Sequence, residues 1–188
     1  AVVLNRADLR LAIQAEYVRD ETLWKIYWWG GHRDEALITR LRLEQSFQQI
    51  LDPEGTRMRV GFQEASRKDP AGWLKKFREF PTNSFERYGV LPEDDFIAPP
   101  TRVHRRRERN IYEGPRLLIK RGIDQGVDDG GRIAARFETE PFCFRDSIHC
   151  APASDIGVDK AKIVPGILWS SLVRYYLFLT SGTWGLWH

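Results

Sequence analysis

The chain has 188 residues, 42% of them apolar and seven of them tryptophan, with a formal net charge of +3. That is enough to bury the core of one domain, or of one domain with an appended arm. The two cysteines, Cys143 and Cys150, leave no C-x-x-C pair and no second cluster for a zinc site. Seven residues apart on one predicted strand, they point to opposite faces, so free thiols of the kind kept in a reducing cytoplasm are expected. No signal peptide is expected, and the longest apolar stretch, Ile163 to Leu179, is broken by Pro165-Gly166, Ser170-Ser171 and Arg174. It reads as a core helix, with no membrane partner expected. The sequence opens on Ala1 and contains the single Met58, as expected of a segment cut from a longer protein.

Asn5 to Asp20 carries Leu9, Leu11, Ile13 and Val18 among charges and predicts a helix capped by Asn5 or Asp8. Next comes an aromatic knot, Leu23 to Gly31, holding Trp24, Tyr27, Trp28 and Trp29. It has two readings, a stacking platform for bases or a small core that docks onto a neighbour. Helical spacing returns from Arg33 to Leu51, with Leu37, Leu41, Phe47 and Leu51 near one face. These elements form a helical, aromatic-rich arm over 1–51.

A turn at Asp52-Pro53-Glu54-Gly55 leads into a predicted strand, Thr56 to Ala65, then a short basic helix, Ala71 to Phe80. Four prolines punctuate the connection to Thr101, and Pro92-Glu93-Asp94-Asp95 reads as a solvated turn. Between Arg102 and Arg121 eight basic residues face only Glu108 and Glu113, so this stretch outweighs the net charge of the rest of the chain. Leu117 to Ile119, bounded by Gly114-Pro115 and Gly122, predicts a buried strand with Arg116, Lys120 and Arg121 at its ends. Concentrated charge on a rigid mount suits a polyanion. Arginine outnumbers lysine about three to one, which favours bidentate phosphate and guanine contacts, although genome composition produces the same bias.

Two further strands are predicted at Arg132–Phe137 and Phe142–Ile148, the latter with Phe142 and Phe144 on one face and Arg145 and Ser147 on the other. One helix is predicted from about Asp159 to Thr180, with Pro165 near its first turn or at a kink, ending in a loop with Trp184 and Trp187. The fold class expected is α+β: a twisted, mostly antiparallel sheet covered by a carboxy-terminal helix, spanning 52–188, with the helical arm alongside. Catalytic signatures are lacking. There is no G-x-G loop, no Asn/Asp-Pro-Pro-aromatic turn, no acidic residue two positions before any lysine, and no nucleophile elbow. No catalytic residue and no metal ligand is assigned.

The strings YEGPRLLIKRG (Tyr112–Gly122), EPFCFRDSIHC (Glu140–Cys150) and GILWSSLVRYYLFLTSGTWG (Gly166–Gly185) resemble the carboxy-terminal part of large bacterial N6-adenine DNA methyltransferases. Those enzymes belong to restriction-modification and phage-defence systems. LWKIYWWGGHRDEALITRL (Leu23–Leu41) is similar to the stretch that follows their catalytic domain. The quoted strings make up about a third of the chain. The resemblance departs at Trp169, where the family has Asn, and in lacking the methyl-donor loop and the Asn-Pro-Pro-Tyr turn.

The resemblance implies a target-recognition segment that grips double-stranded DNA while a missing amino-terminal lobe, with S-adenosylmethionine, methylates a flipped adenine. This segment itself needs no cofactor. On that reading Arg105, Arg106, Arg107, Lys120 and Arg121 neutralise phosphates. Arg132 or Arg145 reaches base edges, and Ser181, Thr183 and Trp184 touch backbone or brace the flipped nucleotide's surroundings. Arg145 has a second reading as an ion pair with Asp146 or Glu138. The whole chain also has one, as an interaction module whose Trp-rich arm docks onto the methyltransferase lobe or a partner subunit.

Overall fold

The structure, a computed structural model, describes residues 11, 13–20, 22–52, 54–55, 57–64, 69–85, 89–105, 107–123 and 132–181. The chain divides into two compact units, Ala1–Glu44 with Tyr175–Gly185, and Gln45–Arg174 with Leu186–His188. The division thus falls at Glu44 rather than after Leu51, and the end of the last helix joins the amino-terminal unit.

In the amino-terminal unit the helices are α1 (Gln14–Arg19), α2 (Thr22–Trp29) and α3 (His32–Leu43). Of the predicted first helix, the described part is α1, from Gln14 to Arg19. Ile13 stands at its cap, and Asn5 and Asp8 lie outside the described residues. The aromatic knot is helix α2. Its Trp24, Trp28 and Trp29 remain more than half exposed, while Ile26, Ile38 and Leu179 form the buried centre. Ile38, not Leu37, faces inward, because burial on a single helix turn is chosen by the partner helix and not by the period alone. Tyr17 is buried against the rings of Trp24 and Tyr27, at 4.6 and 5.2 Å between centroids.

The second unit is α+β. Its four-stranded antiparallel sheet comprises β1 (Arg59–Val60), β4 (Arg116–Lys120), β5 (Ala135–Glu138) and β6 (Ile148–Pro152), in the order β1-β6-β4-β5. A second, two-stranded sheet pairs β2 (Asp69–Pro70) with β3 (Arg102–Val103). Alternation along β4 to β6 sends Leu117, Ile119, Ala135, Phe137 and Ala151 to one face and Leu118, Ile148 and Cys150 to the other. The first face is covered by α5 (Ala153–Ile156) and α6 (Val158–Leu168) through Ile156, Ala161, Val164 and Leu168. The second is covered by the proline-punctuated segment, whose Phe77 and Phe80 join Phe62, Tyr112, Phe142 and Phe144 in the largest apolar cluster. Both sides of the sheet are therefore buried.

Several predicted boundaries move. The second strand starts at Ala135, not Arg132, and the third is Ile148–Pro152, not Phe142–Ile148. Phe142, Cys143 and Phe144 are all fully buried, so that run is an irregular segment sunk between two layers, touching Glu79 and Phe62 through single bridges. Cys143 therefore lies outside any strand. Both thiols are free, and burial pushes each up to about 12. The long helix divides into α6 and α7 (Ser171–Thr180), interrupted at Trp169–Ser170, with Pro165 inside α6. The basic helix at Ala71–Phe80 is a single 3-10 stretch, Gly72–Lys76. Helix α4 (Phe47–Leu51) is separate from α3. No single helix among the described residues is long and apolar enough to cross a membrane.

Candidate nucleic-acid interface

Asp52, buried after α4, accepts the backbone N–H groups of Arg57 and Met58 at 2.8 Å each and so aims the chain into edge strand β1. Beyond β1 the chain passes Gly61, whose N–H reaches Ile148 O at 3.2 Å, to Gln63, which bridges Arg105. An added β-carbon on Gly61 would lie 2.1 Å from Phe144 O, so only glycine allows this approach. Pairing of Gln63 with Arg105 brings the run after β3 beside β1. The result is a cavity of about 550 Å³ lined by Arg59, Arg105, Arg107 and Glu108, with Met58 and Val60 as its apolar wall.

Arg105 is exposed and makes no ion pair among the described residues. Arg107 holds φ at 62°, the left-handed region that side chains other than glycine rarely occupy, and its Nε reaches Gly61 O at 3.4 Å. Arg59 donates to Glu108 at 3.0 Å and Asn110 at 3.2 Å through one nitrogen, and to Asp155 at 3.4 Å through the other.

The other predicted contacts scatter. Arg106, Thr183 and Trp184 lie outside the described residues. Lys120 is half-buried at the end of β4, and Arg121 follows it, exposed, its N–H held by Ser147 O at 2.7 Å. Lys120 pairs with Ile148, and Arg59 pairs with Cys150 on the opposite side of β6, which separates them by two strand spacings, about 10 Å. Ser181 belongs to the amino-terminal unit, where its carbonyl accepts from Lys25 Nζ at 3.1 Å and its N–H closes the helix on Leu177.

Both arginines expected at base edges are otherwise engaged. Arg145 pairs with buried Glu79 at 2.6 Å and with Glu64 at 2.9 Å, rather than with Asp146 or Glu138. Its charge is neutralised at home, and these carboxylates raise its pKa. Arg132 donates to Trp169 O and lies over the Trp169 ring at 5.4 Å, closing the carbonyl end of α6 where a cation is favoured. Arg116, expected among the surface charges, is fully buried. It donates to Gly114 O and Glu140 O at 2.8 and 2.6 Å and stands over Phe142, and desolvation lowers its pKa. Arg109 is paired with Glu113.

Arg59 was not among the expected contacts. Its signal was the Arg57-Met58-Arg59-Val60 alternation, basic on one side and apolar on the other. A second cavity, of about 640 Å³, has a floor formed by the Arg136–Glu138 ion pair, 2.9 Å long. Arg136 also reaches Gly89 O, and Glu138 accepts from two backbone N–H groups. Among the described residues no three His, Cys, Asp or Glu side chains converge as metal ligands. No protein-family model, curated protein or solved structure matches the chain.

Proposed function

We propose that this chain is the DNA-gripping, target-recognition segment of a site-specific adenine-N6 DNA methyltransferase acting in restriction-modification or phage defence in the cytoplasm. The resemblance of Tyr112–Gly122, Glu140–Cys150 and Gly166–Gly185 supports the class. The observation that carries DNA contact is the convergence of Arg59, Arg105 and Arg107 on one cavity at an open sheet edge, with exposed Arg121 on the same unit. Planar guanidinium groups suit phosphate oxygens, and such contacts position a duplex without reading its sequence. Methyl transfer and S-adenosylmethionine belong, in this reading, to a separate lobe, because the sequence offers neither a Gly-rich donor loop nor an Asn-Pro-Pro-Tyr turn. Arg132 and Arg145 drop out as base readers in favour of roles in holding α6 and the Glu79 segment.

The test is fluorescence anisotropy with a duplex of about 25 base pairs across a salt series. Affinity should fall log-linearly with salt, and Arg105→Ala should reduce the slope by about one. Salt-independent binding, or none at low salt, rejects the reading. The exposed Trp24, Trp28 and Trp29 favour a second reading, an interaction module that docks onto the methyltransferase lobe or a partner subunit. Solution mass measurement with and without that lobe separates the two.

A further inference from the structure

We infer that the cavity beside β1 binds a single phosphate group by exchange, with Glu108 as the resident counter-ion that the phosphate displaces. The inference builds on the DNA-binding reading and names the chemistry of its central contact. Three guanidinium groups line the cavity, and Glu108 is the carboxylate lining it with them. That carboxylate holds Arg59 at 3.0 Å while its own side chain is 72% exposed, against 27% for Asp155 behind Arg59. Exposed ion pairs are weakly held and readily replaced. A free phosphate offers more charge than the carboxylate, and a backbone phosphodiester the same charge, each with a pair of oxygens that suits the guanidinium fork.

Arg59 would keep Asp155 at 3.4 Å on its second nitrogen and turn its first from Glu108 to the incoming oxygen. Arg105, with no counter-ion among the described residues, and Arg107, whose Nε makes a long contact to Gly61 O, supply the remaining donors. The left-handed backbone at Arg107 supports the assignment. Glycine would sit at φ 62° without strain, yet an arginine occupies the position and carries its charge into the cavity.

The same chemistry is offered by a free phosphate and by a DNA backbone, so both are titrated into the full chain. Inorganic phosphate is followed through arginine Nε–H NMR shifts, and a duplex of about 25 base pairs through anisotropy. Glu108→Gln should tighten phosphate binding about threefold or more by removing the competitor. Arg107→Gly, which suits the left-handed backbone and removes the side chain with its guanidinium, should weaken it by a similar factor or more. Phosphate binding that is absent, or unmoved by both variants while their unfolding stays cooperative, overturns the inference. If the duplex still binds with salt sensitivity in that case, the DNA reading survives alone. If phosphate follows the expected order but no variant binds duplex, the phosphate site stands and the DNA reading fails.

Discussion

Gly61 and His149 show how single residues depend on neighbours distant in sequence. A β-carbon at Gly61 meets the backbone oxygens of Phe144 and Arg145 at 2.1 and 2.5 Å, and backbone cannot rotate away as a side chain does. Gly61→Ala should therefore destabilise the sheet unit by at least the ~1–3 kcal/mol typical of overpacking, read as a lower urea midpoint. His149 is half-buried on β6, and desolvation first, then the charge of Arg121, lowers its pKa below the ordinary 6.5. The folded state thus resists protonation. The stability this confers is present above pH 6.5 and is lost as pH falls through the depressed folded value. His149→Gln should flatten this part of the acid limb of a melting-temperature profile; an unchanged limb would show that other groups set it. At this scale sequence was weakest: Arg116, Arg132 and Arg145 look alike in a string, yet one is buried, one closes a helix and one is doubly paired.

At the scale of elements, capping and pairing decided boundaries that periodicity blurred. Ser46 and Gln49 form a reciprocal capping box at the start of α4, with Gln49 N reaching Ser46 Oγ at 3.2 Å and Ser46 N reaching Gln49 Oε1 at 2.7 Å. The S-x-x-Q spacing was visible in the sequence and marks why the predicted Arg33–Leu51 helix divides. Ser46→Ala should cost about 0.5–2 kcal/mol, measured by urea denaturation, and should show first as lost amide protection in α4. The strand at Leu117 was legible because three consecutive apolar residues between turns fit burial on two faces. The Phe142–Ile148 strand was misplaced because alternating phenylalanines also suit a segment buried between layers, where no ladder forms.

At the scale of the whole molecule, each compact unit rests on its own apolar clusters. In the amino-terminal unit Leu179 is fully buried with Ile26 and Ile38, from the opposite end of the chain. Leu179→Ala should cost about 2–5 kcal/mol in that unit. Hydrogen exchange should register it as lost protection in α2 and α3 with β4 to β6 unchanged; equal loss in both would mean that the units unfold as one. The sequence by itself determined the α+β class, the buried strand β4 and an excess of arginine between Arg102 and Arg121, because composition and period are local properties of a chain. Tertiary structure alone decided which guanidinium groups remain available. Charge pairing depends on distance in space, and the carboxylates that neutralise Arg145 stand 66 and 81 residues away along the chain.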